Sequence, residues 1–303
     1  MSHAPTPGPR RALAGRLGLL LAGLAVGALT FLVALQVRAG TSGSPTTSPE
    51  TVSAPAPTTL PPATDEPAPD EAADDSAVPA AQPLDGLTVA VDPGHNGGNA
   101  GSPLTVNAPV PDGRGGTKAC NTVGTSTDGG YPEHAFAWDV SSRLAADLTD
   151  LGATVVLTRP DDDGVGPCVD ARGRFGQEND ADVLVSVHAN GSDDRSLHGF
   201  FAIVADPPVH DAQGAPSRAL AEALVDALAD EGFAPSGAFD DAISRRADLA
   251  TLNHAEVPVV MLELGEMRNA DEGALMETEA GRQRYADALA AGVVAWDEGS
   301  RSS

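Results

Sequence analysis

Basic residues are scarce in this chain of 303 residues. Lysine and arginine together number 18, against 43 aspartates and glutamates, so the formal net charge is −25. A protein that binds nucleic acid by neutralising phosphates needs a basic surface, and such an acidic chain would be repelled instead. The composition therefore excludes that class of protein, and we expect no nucleic-acid partner.

Charged residues are absent from residues 17–37, which read LGLLLAGLAVGALTFLVALQV. At about 1.5 Å per residue, a helix of this length spans about 30 Å, the thickness of the hydrocarbon core of a bilayer. Three arginines precede the run and one follows it, which predicts a cytoplasmic N-terminus over 1–16 and export of everything after the run. We expect a single-pass membrane anchor with an extracytoplasmic domain. The alternative is a signal peptide covering residues 1–39, whose cleavage would release a secreted protein.

Large apolar residues are few in residues 40–83, which consist mainly of proline, alanine, threonine, serine and acidic residues. A segment of this kind cannot bury enough apolar surface to offset the entropy lost on ordering. We therefore predict a disordered linker over 40–83, followed by one acidic globular domain over 84–303.

Cysteine is also scarce, since the chain has only Cys120 and Cys168. Neither lies in a C-x-x-C motif, which disfavours a zinc site built from cysteine pairs. Outside the cytoplasm, a pair of cysteines is oxidised more often than free. We therefore predict a disulfide between Cys120 and Cys168, with two unrelated thiols as the alternative.

Apolar runs and helical spacing alternate along residues 84–303. The runs that predict strands are 87–92, 153–158, 182–188, 199–205 and 257–263, and the segments that predict helices are 133–151, 170–179, 216–231 and 281–296. This alternation indicates an α/β domain with an open, mostly parallel sheet and helices on both faces. In such sheets, functional sites form beyond the carboxyl ends of the strands.

Three of the predicted strands lead into residues that bind metal or transfer protons. They are His95 in DPGHNGG, His188 in SVHAN and Glu263 in LELGE. Two neutral imidazoles and a carboxylate, with one position open for water, make a catalytic zinc site. Glu133, at the start of a helix beyond the Gly-rich loop 96–130, is a candidate for the third ligand, although the helix dipole alone also favours a carboxylate there.

Two arginines, Arg172 and Arg174, lie in the short helix predicted over 170–179. They could contact carboxylates of a substrate or form ion pairs with Asp170 and Asp180. Ion pairs between neighbouring helical residues are the more common arrangement, so we favour them.

The motifs DPGHNGG, PEH, DVLVSVHAN and VPVVMLELGEMRN resemble, in this order, those of the zinc-dependent N-acetylmuramoyl-L-alanine amidases, which cut bacterial peptidoglycan. The resemblance extends over about residues 87–296. It implies a single α/β domain with a twisted, largely parallel sheet of about six strands, and peptidoglycan as the partner. Glu266 departs from the family pattern, in which this position is often aromatic.

The same resemblance implies roles for individual residues. His95, Glu133 and His188 correspond to the ligands of Zn²⁺, and Glu263 corresponds to the catalytic glutamate. The implied reaction is hydrolysis of the amide bond between the lactyl group of N-acetylmuramic acid and L-alanine. A zinc peptidase acting on stem peptides and a wall-binding module without activity remain alternatives. A protein activator that displaces the 96–130 loop is also left open.

Overall fold

A computed structural model describes residues 81–302 of the chain. The predicted cytoplasmic segment 1–16, the predicted membrane anchor 17–37 and all but the last residues of the predicted linker 40–83 lie outside this part. The described residues belong to one compact unit. Among them, no helix is both long enough and apolar enough to cross a membrane.

Between residues 81 and 302 the chain forms eight strands and seven α-helices. The strands are β1 (Thr88–Pro93), β2 (Pro109–Pro111), β3 (Thr117–Ala119), β4 (Thr154–Leu157), β5 (Val183–Asn190), β6 (Phe201–Ala205), β7 (Ile243–Arg246) and β8 (Val259–Glu266). The helices are α1 (Pro103–Val106), α2 (Glu133–Asp150), α3 (Val169–Glu178), α4 (Ala215–Asp230), α5 (Ala250–Asn253), α6 (Ala270–Met276) and α7 (Glu279–Arg301). Every strand and helix predicted from the sequence is present, with somewhat different ends.

Six strands form the main sheet, in the order β4-β1-β5-β8-β6-β7. Strands β4, β1, β5 and β8 are parallel to one another, β6 runs antiparallel to β8, and β7 is parallel to β6. This confirms an α/β domain with a mostly parallel sheet of six strands. Strands β2 and β3 form a separate antiparallel hairpin. The edge strand β7 was not predicted, because its sequence ISRR has two exposed arginines and no apolar run.

Helices cover both faces of the sheet. On one face, residues of the central strands such as Val185 pack with α2, α4 and α7 in a large apolar cluster, which we call the large core. On the other face, alternate residues such as Leu184 pack with Phe175 of α3 and Leu252 of α5 in a smaller cluster, the small core. Adjacent residues of β5 thus serve opposite faces, as the alternation of side chains along a strand requires.

Helix α2 connects the large core to the predicted site. Its apolar residues recur every fourth position, which places them on one face of the helix. The buried members of this face are Phe136, Val140, Leu144 and Leu148. Gly152, with a φ of 97°, follows the helix in the left-handed conformation that favours glycine. The first residue of the helix is Glu133, so packing of α2 in the large core also sets the position of this carboxylate.

A disulfide joins Cys120 to Cys168, as the sequence predicted. Cys120 directly follows β3 and Cys168 directly precedes α3. The two cysteines are 48 positions apart, and closing a loop of that length stabilises a fold by about 4 kcal/mol if the effect is entropic. The bond therefore fastens the β2–β3 hairpin to the start of α3.

Candidate metal centre

The three predicted ligands come together in the structure. Glu133 Oε1 lies 3.0 Å from His95 Nε2 and 3.0 Å from His188 Nδ1. The two imidazole nitrogens are 3.2 Å apart. The sequence separates these residues over β1, α2 and β5, and the parallel pairing of β1 with β5 brings the two histidines to the same edge of the sheet.

The donor atoms of this group fit a divalent metal ion. Two imidazole nitrogens and a carboxylate oxygen lie within 4.8 Å of one another, close enough to bind one ion. His95 and Glu133 are buried and His188 is partly buried. Buried groups of this kind are normally paired or bound to metal. Three protein ligands of nitrogen and oxygen also leave the fourth position of a tetrahedral ion free for water.

The ring of His95 is oriented by a backbone carbonyl. Its Nδ1 lies 3.1 Å from the carbonyl oxygen of Thr122 and 3.2 Å from the hydroxyl oxygen of the same residue. A carbonyl oxygen can only accept, so the hydrogen bond to it is made by the tautomer with the proton on Nδ1, which leaves the lone pair of Nε2 for a metal ion. This partner for the second ring nitrogen is the usual device that fixes the tautomer of a metal-binding histidine.

Arg172 supports the turn that carries His95. This buried guanidinium donates to Asp92 Oδ1 at 2.7 Å, Pro93 O at 2.6 Å, His95 O at 2.7 Å and Asn96 Oδ1 at 2.5 Å. Because His95 has a φ of 57°, a conformation that costs free energy in a residue with a Cβ, the turn needs such support.

The prediction that Arg172 forms ion pairs with Asp170 or Asp180 was wrong, and the same prediction for Arg174 was confirmed in part. Arg172 pairs with Asp92 rather than with Asp170 or Asp180, because it projects from α3 toward the end of β1. Arg174 lies on the exposed side of the same helix and pairs with Asp170 at 3.1 Å and with Glu178 at 3.3 Å.

Arg159 supports the same turn and was not singled out from the sequence. It follows β4, is almost fully buried, and donates to Pro93 O at 3.0 Å, Gly94 O at 3.2 Å and His134 O at 2.9 Å. Its carboxylate partner is Asp162 at 2.8 Å. Arginine is rarely buried unless paired, so an arginine directly after an apolar strand was the available signal. We refer to Arg159 and Arg172 as the arginine pair.

Two glycines allow the ligands to approach one another. A Cβ at Gly94 would lie 2.3 Å from Cε1 of His188. Gly124 has a φ of 84°, and a Cβ there would lie 2.8 Å from Oε2 of Glu133. A side chain at either position would displace a ligand, since contacts this short do not occur between real atoms.

Glu133 is held as a carboxylate. Its Oε2 accepts from the backbone N–H of Thr125 at 2.9 Å, and its Oε1 accepts from that of Ala189 at 3.3 Å. Burial alone would raise the pKa of Glu133, but His95 and His188 outweigh burial and lower it. Burial alone would lower the pKa of His95, but Glu133 raises it overall. Protons therefore compete with a metal ion for this group.

Glu263 lies next to the three predicted metal ligands. Its Cα pairs with that of His188 in the parallel ladder between β5 and β8, so both side chains project from the same face of the sheet. Its Oε2 is buried and has no hydrogen-bond partner among residues 81–302. Burial, and then the negative charges of Glu133 and Glu266, raise the pKa of Glu263 well above its usual value.

The expectation that His188 and Glu263 end their strands was wrong. Strand β5 continues to Asn190 and β8 to Glu266, and the two strands pair again at these residues after an irregularity in register. At these extended ends, the carboxylate of Glu266 accepts from Asn190 Nδ2 at 2.6 Å and from Ser192 N at 3.0 Å.

A cavity of about 450 Å³ opens over this group of residues. Its wall contains His95, Glu133, His188 and Glu263 together with apolar residues such as Val123 and Leu249. The volume lies in the range of sites that bind small molecules or parts of larger ones. A parallel α/β sheet with two histidines and two glutamates around such a cavity has the construction of a metal-dependent hydrolase.

Comparison with known proteins identifies the family. The family model described as N-acetylmuramoyl-L-alanine amidase matches residues 89–295. An N-acetylmuramoyl-L-alanine amidase of Mycobacterium tuberculosis is 42% identical over 219 residues, which cover 72% of this chain and 88% of the relative. The chain therefore belongs to the N-acetylmuramoyl-L-alanine amidase family, as its motifs predicted.

Solved structures of mycobacterial enzymes share the fold. The N-acetylmuramyl-L-alanine amidase Ami1 of Mycobacterium abscessus is 42% identical, with a TM-score of 0.68 over 70% of this chain and 99% of that one. Ami1 of Mycobacterium smegmatis is 40% identical, with a TM-score of 0.69 over 71% of this chain and 99% of that one. The similarity covers almost all of each solved chain, so this protein is an enzyme of the same class.

Proposed function

We propose that this enzyme hydrolyses the amide bond between the lactyl group of N-acetylmuramic acid and L-alanine in peptidoglycan, using Zn²⁺ held by His95, Glu133 and His188. The observation that carries the proposal is the convergence of these three donors beside Glu263 in one cavity of an amidase-family domain. Two imidazoles with one carboxylate suit zinc, whereas magnesium and calcium sites are built from oxygen ligands.

The side chains around the cavity have distinct roles in this reaction. Bound zinc would lower the pKa of a water molecule and polarise the scissile carbonyl. Glu263 would accept a proton from the attacking water and deliver it to the departing nitrogen, which leaves as the amine of L-alanine. The arginine pair would keep His95 in place throughout.

A digest of peptidoglycan with the purified full chain, analysed by mass spectrometry, tests the reaction. We expect intact stem peptides that begin with a free L-alanine, and one zinc per chain by elemental analysis. Shortened peptides would instead identify a peptidase, and a zinc-loaded protein that releases nothing would identify a wall-binding module. A His188→Ala variant is the matched control, because it should lose both metal and activity.

We further propose that residues 17–37 anchor the protein in the membrane and that 40–83 tether the domain 84–303 outside the cytoplasm, with 1–16 inside. The uncharged run and its flanking arginines support this arrangement. The disulfide also supports it, because such bonds persist in oxidising compartments. A flexible or extended linker of this length reaches on the order of 40–140 Å. Recovery of peptides from residues 1–39 in the mature protein tests anchoring, and their absence would show a secreted form.

A further inference from the structure

One lysine of the cavity wall belongs neither to a buried ion pair nor to the metal centre. Asp92 and Arg172 form a buried ion pair at 2.7 Å. The two histidines and Glu133 form the metal centre, and Glu263 lies beside it. Lys118, on strand β3, is the remaining ionisable residue of the wall. The proposed reaction gives Lys118 no role.

The ammonium of Lys118 has hydrogen-bond donors that it does not use within residues 81–302. Its Nζ donates to the backbone carbonyl oxygen of Asp248 at 2.6 Å. Within residues 81–302, no carboxylate forms an ion pair with it. The carboxylate of Asp248 is occupied elsewhere, since its two oxygens accept from Arg246 at 2.8 and 2.5 Å. An ammonium carries three N–H donors, so two of them are free for a ligand in the cavity.

The surroundings of Lys118 favour an anion as that ligand. Burial lowers the pKa of its ammonium, and the nearby positive charge of Arg246 adds to this effect, which exceeds the opposing attraction of Asp248 and Asp112. A partly buried charge without a counter-ion is costly, so an incoming carboxylate would be stabilised here. Because the chain as a whole carries a net charge of −25, a local cation is needed for an anionic substrate to approach this wall.

We propose that Lys118 binds a free carboxylate of the stem peptide, on the L-alanine side of the scissile bond. This inference rests on the proposed amidase reaction. In that substrate the lactyl carboxyl group is consumed in the amide bond and the N-acetylated sugars are uncharged, so the free carboxylates lie on the peptide. The carboxyl group of L-alanine is itself bonded to the next residue, so the first free carboxylate beyond the scissile bond is on that residue. The enzyme should therefore prefer stem peptides in which the residue after L-alanine carries a carboxylate over the same peptides with a carboxamide.

Steady-state kinetics on two soluble muropeptides that differ only in this carboxylate or carboxamide test the proposal. The variants are Lys118→Met, which keeps an apolar stem, and Lys118→Arg, which keeps the charge. Arg114→Ala is the matched control, because Arg114 lies in the turn of the same hairpin but contacts Asn253 and Pro207 away from the cavity. Zinc content and the thermal midpoint are measured for each variant.

We expect Lys118→Met to raise KM for the carboxylate substrate about 10-fold, equivalent to 1.4 kcal/mol, with kcat unchanged. KM for the carboxamide should not change, Lys118→Arg should restore most of the preference, and Arg114→Ala should have no effect. The free peptide product with a carboxylate should also bind wild type about 10-fold more tightly than Lys118→Met. A binding measurement by calorimetry needs no turnover.

Two results would overturn the assignment of Lys118. One is an equal preference of the wild type for the two substrates, and the other is a Lys118→Met variant that loses the same factor on both. A wild type that binds zinc and cleaves neither muropeptide would instead overturn the proposed amidase reaction, and with it this inference. The two failures are therefore distinguishable.

Discussion

The two faces of the sheet bury different kinds of residue. The large core is apolar, and it is built by helices α2, α4 and α7. The other face begins with the small core but becomes polar toward the metal centre, where Asp92 accepts from Thr158 at 2.6 Å, Ser186 at 2.7 Å and Arg172 at 2.7 Å. His188 and Glu263 project from this same face. The apolar face thus stabilises the domain and, through α2, positions Glu133, whereas the polar face carries His188 and Glu263 and the hydrogen bonds around them.

The largest effect should come from Glu263→Gln, on the polar face. We expect kcat to fall about 10²- to 10⁴-fold, because a group that transfers a proton in the transition state contributes that much. Zinc content and the thermal midpoint should not change, because the amide keeps the shape of the side chain. Steady-state kinetics with elemental analysis measure both. Normal turnover would remove Glu263 from the reaction.

A substitution in the apolar face should instead lower the stability of the domain and leave its activity unchanged. Leu224 of α4 is fully buried in the large core, and α4 carries no residue of the site, so Leu224→Ala should lower the free energy of unfolding by about 2–5 kcal/mol. Urea denaturation measures this loss. Under conditions where the variant remains folded, kcat and zinc affinity should match wild type. A large fall in kcat would show that the two faces are not independent.

On the polar face, Arg172→Lys should weaken the binding of zinc. Lysine keeps the positive charge beside Asp92 but lacks the planar set of donors that reaches four oxygen atoms of the turn of His95. We expect zinc affinity to fall about 10- to 100-fold, as for other losses of support to a metal ligand, when measured by chelator competition. Arg174→Lys, on the exposed side of the same helix, is the control. Equal affinities for both variants would contradict a positioning role for Arg172.

The smallest effect concerns pH. Burial alone would raise the pKa of Asp92, but Arg172 and the hydroxyls around it lower this pKa below its usual value of 3.8. Asp92 therefore stabilises the fold above that pH, and its contribution is lost as pH falls from 3.8 through the lower pKa of the folded state. Below about pH 4, the free energy of unfolding should thus fall less steeply for Asp92→Asn than for wild type. Parallel curves would contradict the prediction.

Local patterns revealed most of the fold. The apolar runs that became β1, β5 and β8 were evident, as was the helical spacing of α2. The sequence could not show that β6 runs antiparallel to β8, because strand direction depends on how distant segments pack. The β2–β3 hairpin was missed for a related reason, since its six strand residues are partly or fully exposed and lack an alternating pattern.

In the candidate site, too, some residues could be predicted from the sequence and others could not. Residue type and motif were enough to predict the four central residues of the site, which are His95, Glu133, His188 and Glu263. The hydrogen bonds that support them could not be predicted, because the partners of Arg172 in the turn of His95 lie more than 75 positions away in the chain. Residue type shows that an arginine is a donor, and only the fold shows which oxygen atoms surround it.

The hydrogen bonds that hold the turn of His95 come from the protein itself, and this has a practical consequence. A scaffold that keeps its shape by its own contacts can exchange its ion without unfolding, unlike small zinc domains that fold only when loaded. Chelation followed by addition of cobalt should therefore give a coloured enzyme. Its visible absorption would then report directly on how a substrate changes the coordination sphere.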